Sequence, residues 1–248
     1  MGSEDGIDVA GKVGHRWYLW VFHSDAVVHY ALNEPRSAAV IGAELAGVEH
    51  GIIGCDRYSA YKKFARLHPG VVLVFCWAHV RRDLLELANS YPDLSAWAFA
   101  RVDAIGTLHH LNGLRLRAPE GSAERAAHHR QLEQAVHGMA QQRDLNLGDP
   151  LLAAPAAKVL QSRAVHWGGL TVFVNHPWVP MDNNTAECDM DGPVVGRKNF
   201  YGSASRFSGQ LAATTHSLMM ALRLWKINPH MAGRLLTGER GQSQPRAE

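Results

Sequence analysis

Cysteine is scarce in this sequence, with three residues among 248. Cys55, Cys76 and Cys188 are odd in number and widely separated, so they form neither a disulfide framework nor the paired pattern of a zinc site. No apolar run is long enough to cross a bilayer, and no signal peptide opens the chain. This composition predicts a cytoplasmic protein with no membrane association.

Net charge is also small, because 25 Lys and Arg oppose 23 Asp and Glu and leave +2 at pH 7. Such a charge does not by itself imply a polyanionic partner, so any DNA contact requires basic side chains gathered on one face. The fifteen histidines are scattered or occur as neighbours such as His109-His110. Neighbouring residues do not share a helix face, so we interpret most of these histidines as surface residues.

Hydrophobic residues make up 46% of the sequence, which is enough for a full core in one or two domains. In the first half, strand-like runs alternate with stretches of helical spacing, a pattern that predicts a mixed α/β sheet. The short Ser24-Asp25 turn indicates an antiparallel hairpin. The predicted strands are residues 15–23, 26–32, 51–55 and 71–76, and the predicted helices are residues 36–46, 57–66 and 77–88.

The second half changes character at about residue 92, where strand signals almost disappear. We predict a helical insertion over residues 92–166, between a first part of the core (1–91) and a second part (167–238). Inside the insertion, Leu132, Val136 and Met139 are spaced as a packing stripe on a helix.

Three further segments of the second half are assigned from composition. Residues 170–174 have the composition of a strand, with a helix as the alternative. Residues 208–225 predict a long apolar helix, and residues 239–248 a disordered polar tail.

Two acidic residues stand at positions suited to chemistry. Asp56 directly follows a short buried strand, and the ends of strands are where open α/β folds place ligand groups. Its alternative role is to cap the helix that follows. Glu187 lies where a new helix begins, so it either holds a metal together with Asp56 or interacts with the helix dipole. Spacing alone does not decide between these roles.

Basic pairs occur near both acidic segments, at Arg81-Arg82 and at Arg197-Lys198. Each pair is either a solvated surface or a contact for a phosphate backbone. Cys76 and His79 resemble half of a zinc site, but no second half is present, so a buried thiol beside a hydrogen-bonded imidazole is favoured.

Taken together, three long blocks of this sequence resemble the insertion sequence 66 family of transposases. The first is GKVGHRWYLWVF at 11–22, and the second combines CDRYSAYKKF at 55–64 with FCWAHVRRDLLELA at 75–88. The third combines MDNNTAE at 181–187 with GPVVGRKNFYGSAS at 192–205. Their length and order make the resemblance more specific than a short motif.

The resemblance implies a ribonuclease-H-like core, a mixed sheet flanked by helices with a helical insertion, and a DDE active site. Asp56 then corresponds to the second acid and Glu187 to the third, both as ligands of Mg²⁺ or Mn²⁺. His79, Asn183 and Asn184 are expected to support the site.

The expected activity is metal-dependent cleavage and strand transfer of DNA, which implies DNA and other copies of the chain as partners. Arg81, Arg82, Arg197 and Lys198 are then candidate DNA contacts.

The first acid of the family pattern has no match in this chain. It belongs to a D-E-T block that would lie at or before Met1, and Asp25 is rejected because it lies on the hairpin turn. The sequence also has Cys188-Asp189-Met190-Asp191 where relatives have basic residues. The negative charge of the two aspartates would repel DNA.

These departures lead us to expect an N-terminally truncated core that is nearly inactive alone. A non-catalytic DNA-binding or oligomerising remnant is the alternative. A resolvase-type or repair nuclease is a weaker one, because the matching blocks extend beyond the acids.

Overall fold

The computed structural model describes residues 17–199, 205–229 and 231–232, with residues 197–199 described by their backbone only. The described residues divide into two compact units. Residues 45–183 are named the central unit, and residues 17–44 together with those from 184 onward are named the terminal unit. No helix in the described ranges is long and apolar enough to span a membrane.

Four strands and nine α-helices make up the described part of the chain, which confirms the α/β class. The strands are β1 (Tyr18–His23), β2 (Val28–Asn33), β3 (His50–Cys55) and β4 (Gly70–Phe75). The helices are α1 (Ala38–Glu44), α2 (Ser59–Leu67), α3 (Trp77–Ser90), α4 (Ser95–Arg117), α5 (Ala123–Leu147), α6 (Ala154–Val165), α7 (Trp167–Asn175), α8 (Asn184–Asn199) and α9 (Arg206–Leu224). All the elements predicted for the first half are present.

The strands pair as two two-stranded sheets in the part of the chain that is described. β1 and β2 form the predicted antiparallel hairpin, and β3 and β4 are parallel. A single mixed sheet of ribonuclease-H type stays a prediction. The segment predicted as an insertion holds α4, α5 and α6, and its status as an insertion also stays a prediction. The predicted tail at 239–248 lies outside the described residues.

The terminal unit has its own small core, formed where α8 and α9 pack on the hairpin. Val28 and Tyr30 of β2 are buried there together with Met190 of α8 and Ala213 of α9. The backbone N–H of Tyr30 donates to the Ser217 hydroxyl of α9 over 2.8 Å, which satisfies a strand donor that has no partner in β1.

Pro193 lies inside α8, although proline has no N–H to donate to the carbonyl four residues earlier. That carbonyl belongs to Asp189, and the Tyr30 hydroxyl donates to it over 2.7 Å. The Asp189 carboxylate is bound as well, since His23 Nδ1 of β1 donates to Oδ2 over 2.6 Å. Two side chains from the hairpin therefore stabilise α8 where its own hydrogen-bond ladder is interrupted.

The central unit has the larger core, in which β4 is packed against helices. Trp77, Leu84, Leu108 and Phe173 are fully buried in it. The packing stripe predicted on α5 is confirmed, because Leu132 and Met139 are buried and Val136 packs against the same cluster. The buried members of this cluster that come from α4 are Ile105 and Leu108.

Residues 170–174 belong to α7, so the strand predicted from their composition is wrong and the helical alternative is right. Leu170, Phe173 and Val174 are buried at the spacing of one helix face. Gly169 permits α7 to approach β4, because a Cβ atom at this position would lie 2.5 Å from the ring of Phe75. Burial of this face overrides the strand propensity of the valines.

Arg115 of α4 holds the C-terminal end of α7. It is 1% exposed, and its guanidinium donates to the carbonyl oxygens of Val174 over 2.6 Å and Phe173 over 2.8 Å. The last carbonyls of a helix have no donor within the helix, and a cation there also interacts favourably with the helix dipole. Arg115 therefore supplies from another helix the hydrogen bonds that α7 lacks.

We expect Arg115→Met to lower the free energy of unfolding by about 2 kcal/mol, because two buried carbonyls lose their charged donor while the side-chain volume is kept. A urea titration followed by circular dichroism measures the change. Arg117→Met is the control, since Arg117 is an exposed residue of the same helix, and it should change the free energy by less than about 0.5 kcal/mol. Equal effects of the two substitutions would contradict the assignment.

Burial, and then the negative charge of Asp189, raises the pKa of Tyr30 to about 12. Below pH 10, the ordinary pKa of tyrosine, this residue is neutral in both folded and unfolded chains. The contribution of Tyr30 to the free energy of unfolding is lost as the pH rises from 10 to about 12, because in this range the tyrosine of the unfolded chain loses its proton and that of the folded chain keeps it. Ultraviolet difference absorbance should show that Tyr30→Phe removes one tyrosinate step near pH 12; loss of a step near pH 10 instead would refute this.

Candidate functional site

The parallel strands β3 and β4 end side by side, since Cys55 is paired with Phe75. Asp56 follows β3 directly and Cys76 follows β4, so both residues lie at the carboxyl edge of this strand pair. In open α/β sheets this edge is where ligands are bound. The prediction that Asp56 follows a strand is confirmed. That strand is not buried as predicted, because β3 has only β4 as a strand neighbour in the described ranges and Cys55 is its one buried residue.

The Asp56 side chain orders the turn between β3 and α2. Its Oδ1 accepts a hydrogen bond from the backbone N–H of Tyr58 over 3.0 Å. This is a turn contact and not the helix cap that was the alternative role for Asp56, because the N-cap residue of α2 is Tyr58. A carboxylate has about four lone-pair positions on its two oxygens, so one such bond leaves capacity for a cation.

Arg57 anchors the turn that carries Asp56. Its guanidinium donates to Asp83 of α3 over 2.5 Å and to the Ser162 hydroxyl of α6 over 2.9 Å. Both partners lie on helices packed in the central unit, so the backbone next to Asp56 is held at two points. A restrained turn is what a ligand site requires if its carboxylate is to keep one orientation.

The segment Met181–Asn183 is bound to the start of α3. The backbone N–H of Trp77 donates to the Met181 carbonyl over 2.9 Å, and the backbone N–H of Asn183 contacts Cys76 Sγ at 3.4 Å. Asn183 therefore lies beside the residue that follows β4, at the same carboxyl edge as Asp56.

The Cys55 thiol is not available as a thiolate donor at this edge, whereas two side-chain oxygens are. Burial, and then the negative charge of Asp56, raises the pKa of the Cys55 thiol above its usual range, so this thiol stays protonated. The Asn183 side-chain oxygen is buried with no hydrogen-bond partner among the described residues. A carboxylate and an amide oxygen are ligands that Mg²⁺ and similar hard cations accept, so the residues present fit such an ion.

Glu187 lies in the first turn of α8, within the terminal unit, and is partly buried. The helix predicted to begin near Glu187 is confirmed, and its first residue is Asn184, which is exposed. Asp189, one of the two acidic residues predicted to repel DNA, is paired with His23 of the hairpin. Its charge is therefore opposed by an imidazole when that ring is protonated.

The candidate DNA contacts Arg81 and Arg82 are exposed on α3, and His79 is partly buried one turn before them. Arg81 lines a groove of about 620 Å³ between α3 and α4, together with His109 and His110. The side chains of the other predicted pair, Arg197 and Lys198, lie outside the described residues.

The two histidines of this groove were not predicted as functional residues. Loss of solvent lowers the pKa of His109, and the charge of Asp182 acts in the opposite direction. Asp182 precedes Asn183, so the groove approaches the segment at the carboxyl edge. No pattern in the sequence indicates that His109 and Asp182 are close, because His109 belongs to α4 and Asp182 to the loop before α8.

Comparison with known proteins identifies relatives over most of the chain. Residues 7–210 match the family described as Transposase IS66 family. The chain is 27% identical over 219 residues to uncharacterized protein y4jD of Sinorhizobium fredii (strain NBRC 101917 / NGR234), a match that covers 85% of the chain and 42% of that protein. It is 23% identical over 237 residues to uncharacterized protein y4qI of the same strain, covering 89% of the chain and 43% of that protein.

The chain thus spans about two fifths of the length of these curated relatives. No solved structure matches it. The family match includes both acids, the carboxyl edge and the start of α9. On this match, the chain belongs to the IS66 family of transposases.

Proposed function

We propose that this chain forms a catalytic-core segment of a transposase that cleaves DNA and transfers strands through a DDE site. Membership of the IS66 family supports the general role. The observation that supports the site is the contact of Met181–Asn183 with Cys76 and Trp77, at the edge where Asp56 ends β3. This contact joins the segment that leads to Glu187 to the strand pair that carries Asp56.

Asp56 and Glu187 are the metal ligands in this proposal, with the Asn183 oxygen as a supporting donor. α8 begins at the residue after Asn183, and Glu187 lies in its first turn, so few residues separate Glu187 from the anchored segment. Strand cleavage and joining are displacements at phosphorus, and a divalent cation (Mg²⁺ or Mn²⁺) would supply charge stabilisation for the attacking and leaving oxygens. The carboxylates of Asp56 and Glu187 would supply the negative charge that binds the cation, and the hydrogen bond from Arg57 to Asp83 would restrain the turn that carries Asp56.

We further propose a ribonuclease-H-like arrangement of the core, assembly with other copies of the chain on DNA, and a location in the cytoplasm. Arg81 and Arg82 would contact the phosphate backbone, since both are exposed on α3 and Arg81 borders the groove with His109 and His110. Arg197 and Lys198 extend the proposed contact by resemblance alone. His79 and Asn184 remain supporting residues in this proposal.

Asp56→Asn and Glu187→Gln should each weaken Mn²⁺ binding at least roughly tenfold, because each removes a charged ligand and keeps the shape of the side chain. Isothermal titration calorimetry of the 248-residue chain measures the affinity. Asp93→Asn is the matched control, since Asp93 is exposed, and it should leave the affinity unchanged. Equal affinities for all three variants and the unmodified chain would contradict the metal site.

A supercoiled-plasmid assay with Mg²⁺ or Mn²⁺ tests the role of the acids in cleavage. We expect slow nicking by this chain alone, because only two of the three acids of the pattern are matched, and we expect it to be lost in Asp56→Asn. Robust nicking that Asp25→Ala abolishes equally would overturn the assignment of the acids.

DNA binding should fall steeply with salt if α3 contacts the phosphate backbone. Arg81→Ala and Arg82→Ala should each reduce the slope of log affinity against log salt by about one, as expected for a lost phosphate contact. Gel-shift titrations at several salt concentrations measure the slope, with exposed Arg130 of α5 changed to alanine as the control. Unchanged slopes for the α3 variants would refute these contacts. Salt-dependent binding without any metal-dependent cleavage would favour the non-catalytic alternative.

A further inference from the structure

Three arginines approach one another where α4, α5, α6 and α7 meet, away from the residues assigned to the metal site. The guanidinium carbons of Arg143 and Arg163 lie 4.7 and 5.9 Å from the ring centroid of Trp167. Arg101 lies over Trp97 at 3.5 Å and donates to the Asn146 side chain. The positive charge of Arg101 also acts on Arg163.

Arg163 is a buried cation that forms no ion pair in the described part of the chain. It is 3% exposed, and its Nε is buried with no hydrogen-bond partner in the described ranges. Burial, and then the charges of Arg101 and Arg143, lowers the pKa of Arg163 to about 10, and the charge of Asp144 acts in the opposite direction. The group is therefore still charged at neutral pH. A buried guanidinium that lacks hydrogen-bond acceptors is rare, because removing it from water is costly.

Arg143 is only partly satisfied. It is 9% exposed and binds the neighbouring carboxylate of Asp144 through two hydrogen bonds of 2.7 and 2.9 Å. Its third nitrogen, Nη1, is buried with no acceptor among the described residues. Asp144 is the acid paired with this group of three arginines, and 61% of its side chain is exposed.

Contact with the Trp167 ring does not account for this arrangement. A cation–π interaction stabilises a guanidinium less than the loss of its hydration destabilises it, and two cations share this one ring. An oxyanion supplies what is missing, since it would bring both negative charge and several acceptors. Arginine binds phosphate oxygens through paired N–H groups, a geometry that the Arg143–Asp144 pair already shows with a carboxylate.

We infer that Arg143 and Arg163 form an anion site that takes a phosphate group, with Asp144 occupying part of it in the absence of that ligand. The exposed Asp144 side chain is free to turn towards solvent when phosphate replaces it on Arg143. The site lies between α5, α6 and α7 in the central unit and includes neither Asp56 nor Glu187. It therefore does not depend on the proposed metal chemistry.

Isothermal titration of the full chain with inorganic phosphate, at constant ionic strength and with chloride as the reference anion, tests the site. Arg163→Met should weaken phosphate binding roughly tenfold or more, since a charged hydrogen-bonding partner is lost. Asp144→Asn should strengthen it, because the competing carboxylate is removed. Exposed Arg130 of α5, changed to methionine, is the matched control and should have no effect.

Thermal unfolding separates this role from a structural one. Without phosphate, Arg163→Met should unfold at the same or a higher temperature than the unmodified chain, because an unpaired buried charge is removed. A lower unfolding temperature together with unchanged phosphate affinity would assign Arg163 to packing on Trp167 and overturn the inference. Absence of phosphate binding by both the unmodified chain and Asp144→Asn would also overturn it.

A DNA oligonucleotide identifies the source of the phosphate. If inorganic phosphate competes with the oligonucleotide, and Arg163→Met weakens both, the site takes backbone phosphate. If only inorganic phosphate responds to Arg163→Met, the site takes a free anion. Asp56→Asn should leave both measurements unchanged, which keeps a failure of this site distinguishable from a failure of the metal site.

Discussion

Trp77 is fully buried at the start of α3, where its two N–H groups donate to different parts of the central unit. The indole nitrogen binds the Leu170 carbonyl of α7 over 2.7 Å, and the backbone nitrogen binds the Met181 carbonyl over 2.9 Å. A buried donor has to find an acceptor, so these bonds restrain α7 and the segment leading to Asn183 at once. The bond to Met181 adds to the contact of Asn183 with Cys76, so Trp77 helps to hold the carboxyl edge that we propose as the catalytic site.

Arginine is used in three different ways around this core. Arg57 pairs with a carboxylate and anchors the Asp56 turn. Arg115 pairs with no carboxylate and donates to neutral acceptors, chiefly the carbonyl oxygens at the end of α7 and the Asn112 side chain. Arg163 has neither kind of partner in the described part of the chain. The first two arrangements satisfy a buried cation within the protein, whereas the third leaves a charge that an external anion would neutralise. This contrast is what separates the proposed phosphate site from the arginines that stabilise the fold.

Much of the local structure was predictable, because it follows from patterns of adjacent residues. The hairpin, the β3–α2–β4 unit and the packing stripe on α5 appear as predicted. The strand predicted at 170–174 was wrong. The difference in free energy between strand and helix propensities is smaller than the free energy gained when one face of α7 is buried. The length of α8 was also not foreseeable, because a helix that continues through Pro193 needs the Tyr30 hydroxyl from a strand far away in the chain.

The sequence by itself determined that Asp56 would follow a strand, that Glu187 would lie at the start of a helix, and that the chain resembles IS66 transposases. These conclusions rest on short-range periodicity and on long matching blocks, which need no knowledge of packing. Only the tertiary structure decided that Asn183 lies against Cys76, 107 residues away, and that Arg163 is buried with no ion-pair partner in the described part of the chain. The physical reason is that the partner of a buried polar group is chosen by how distant segments pack, and no local pattern encodes that choice.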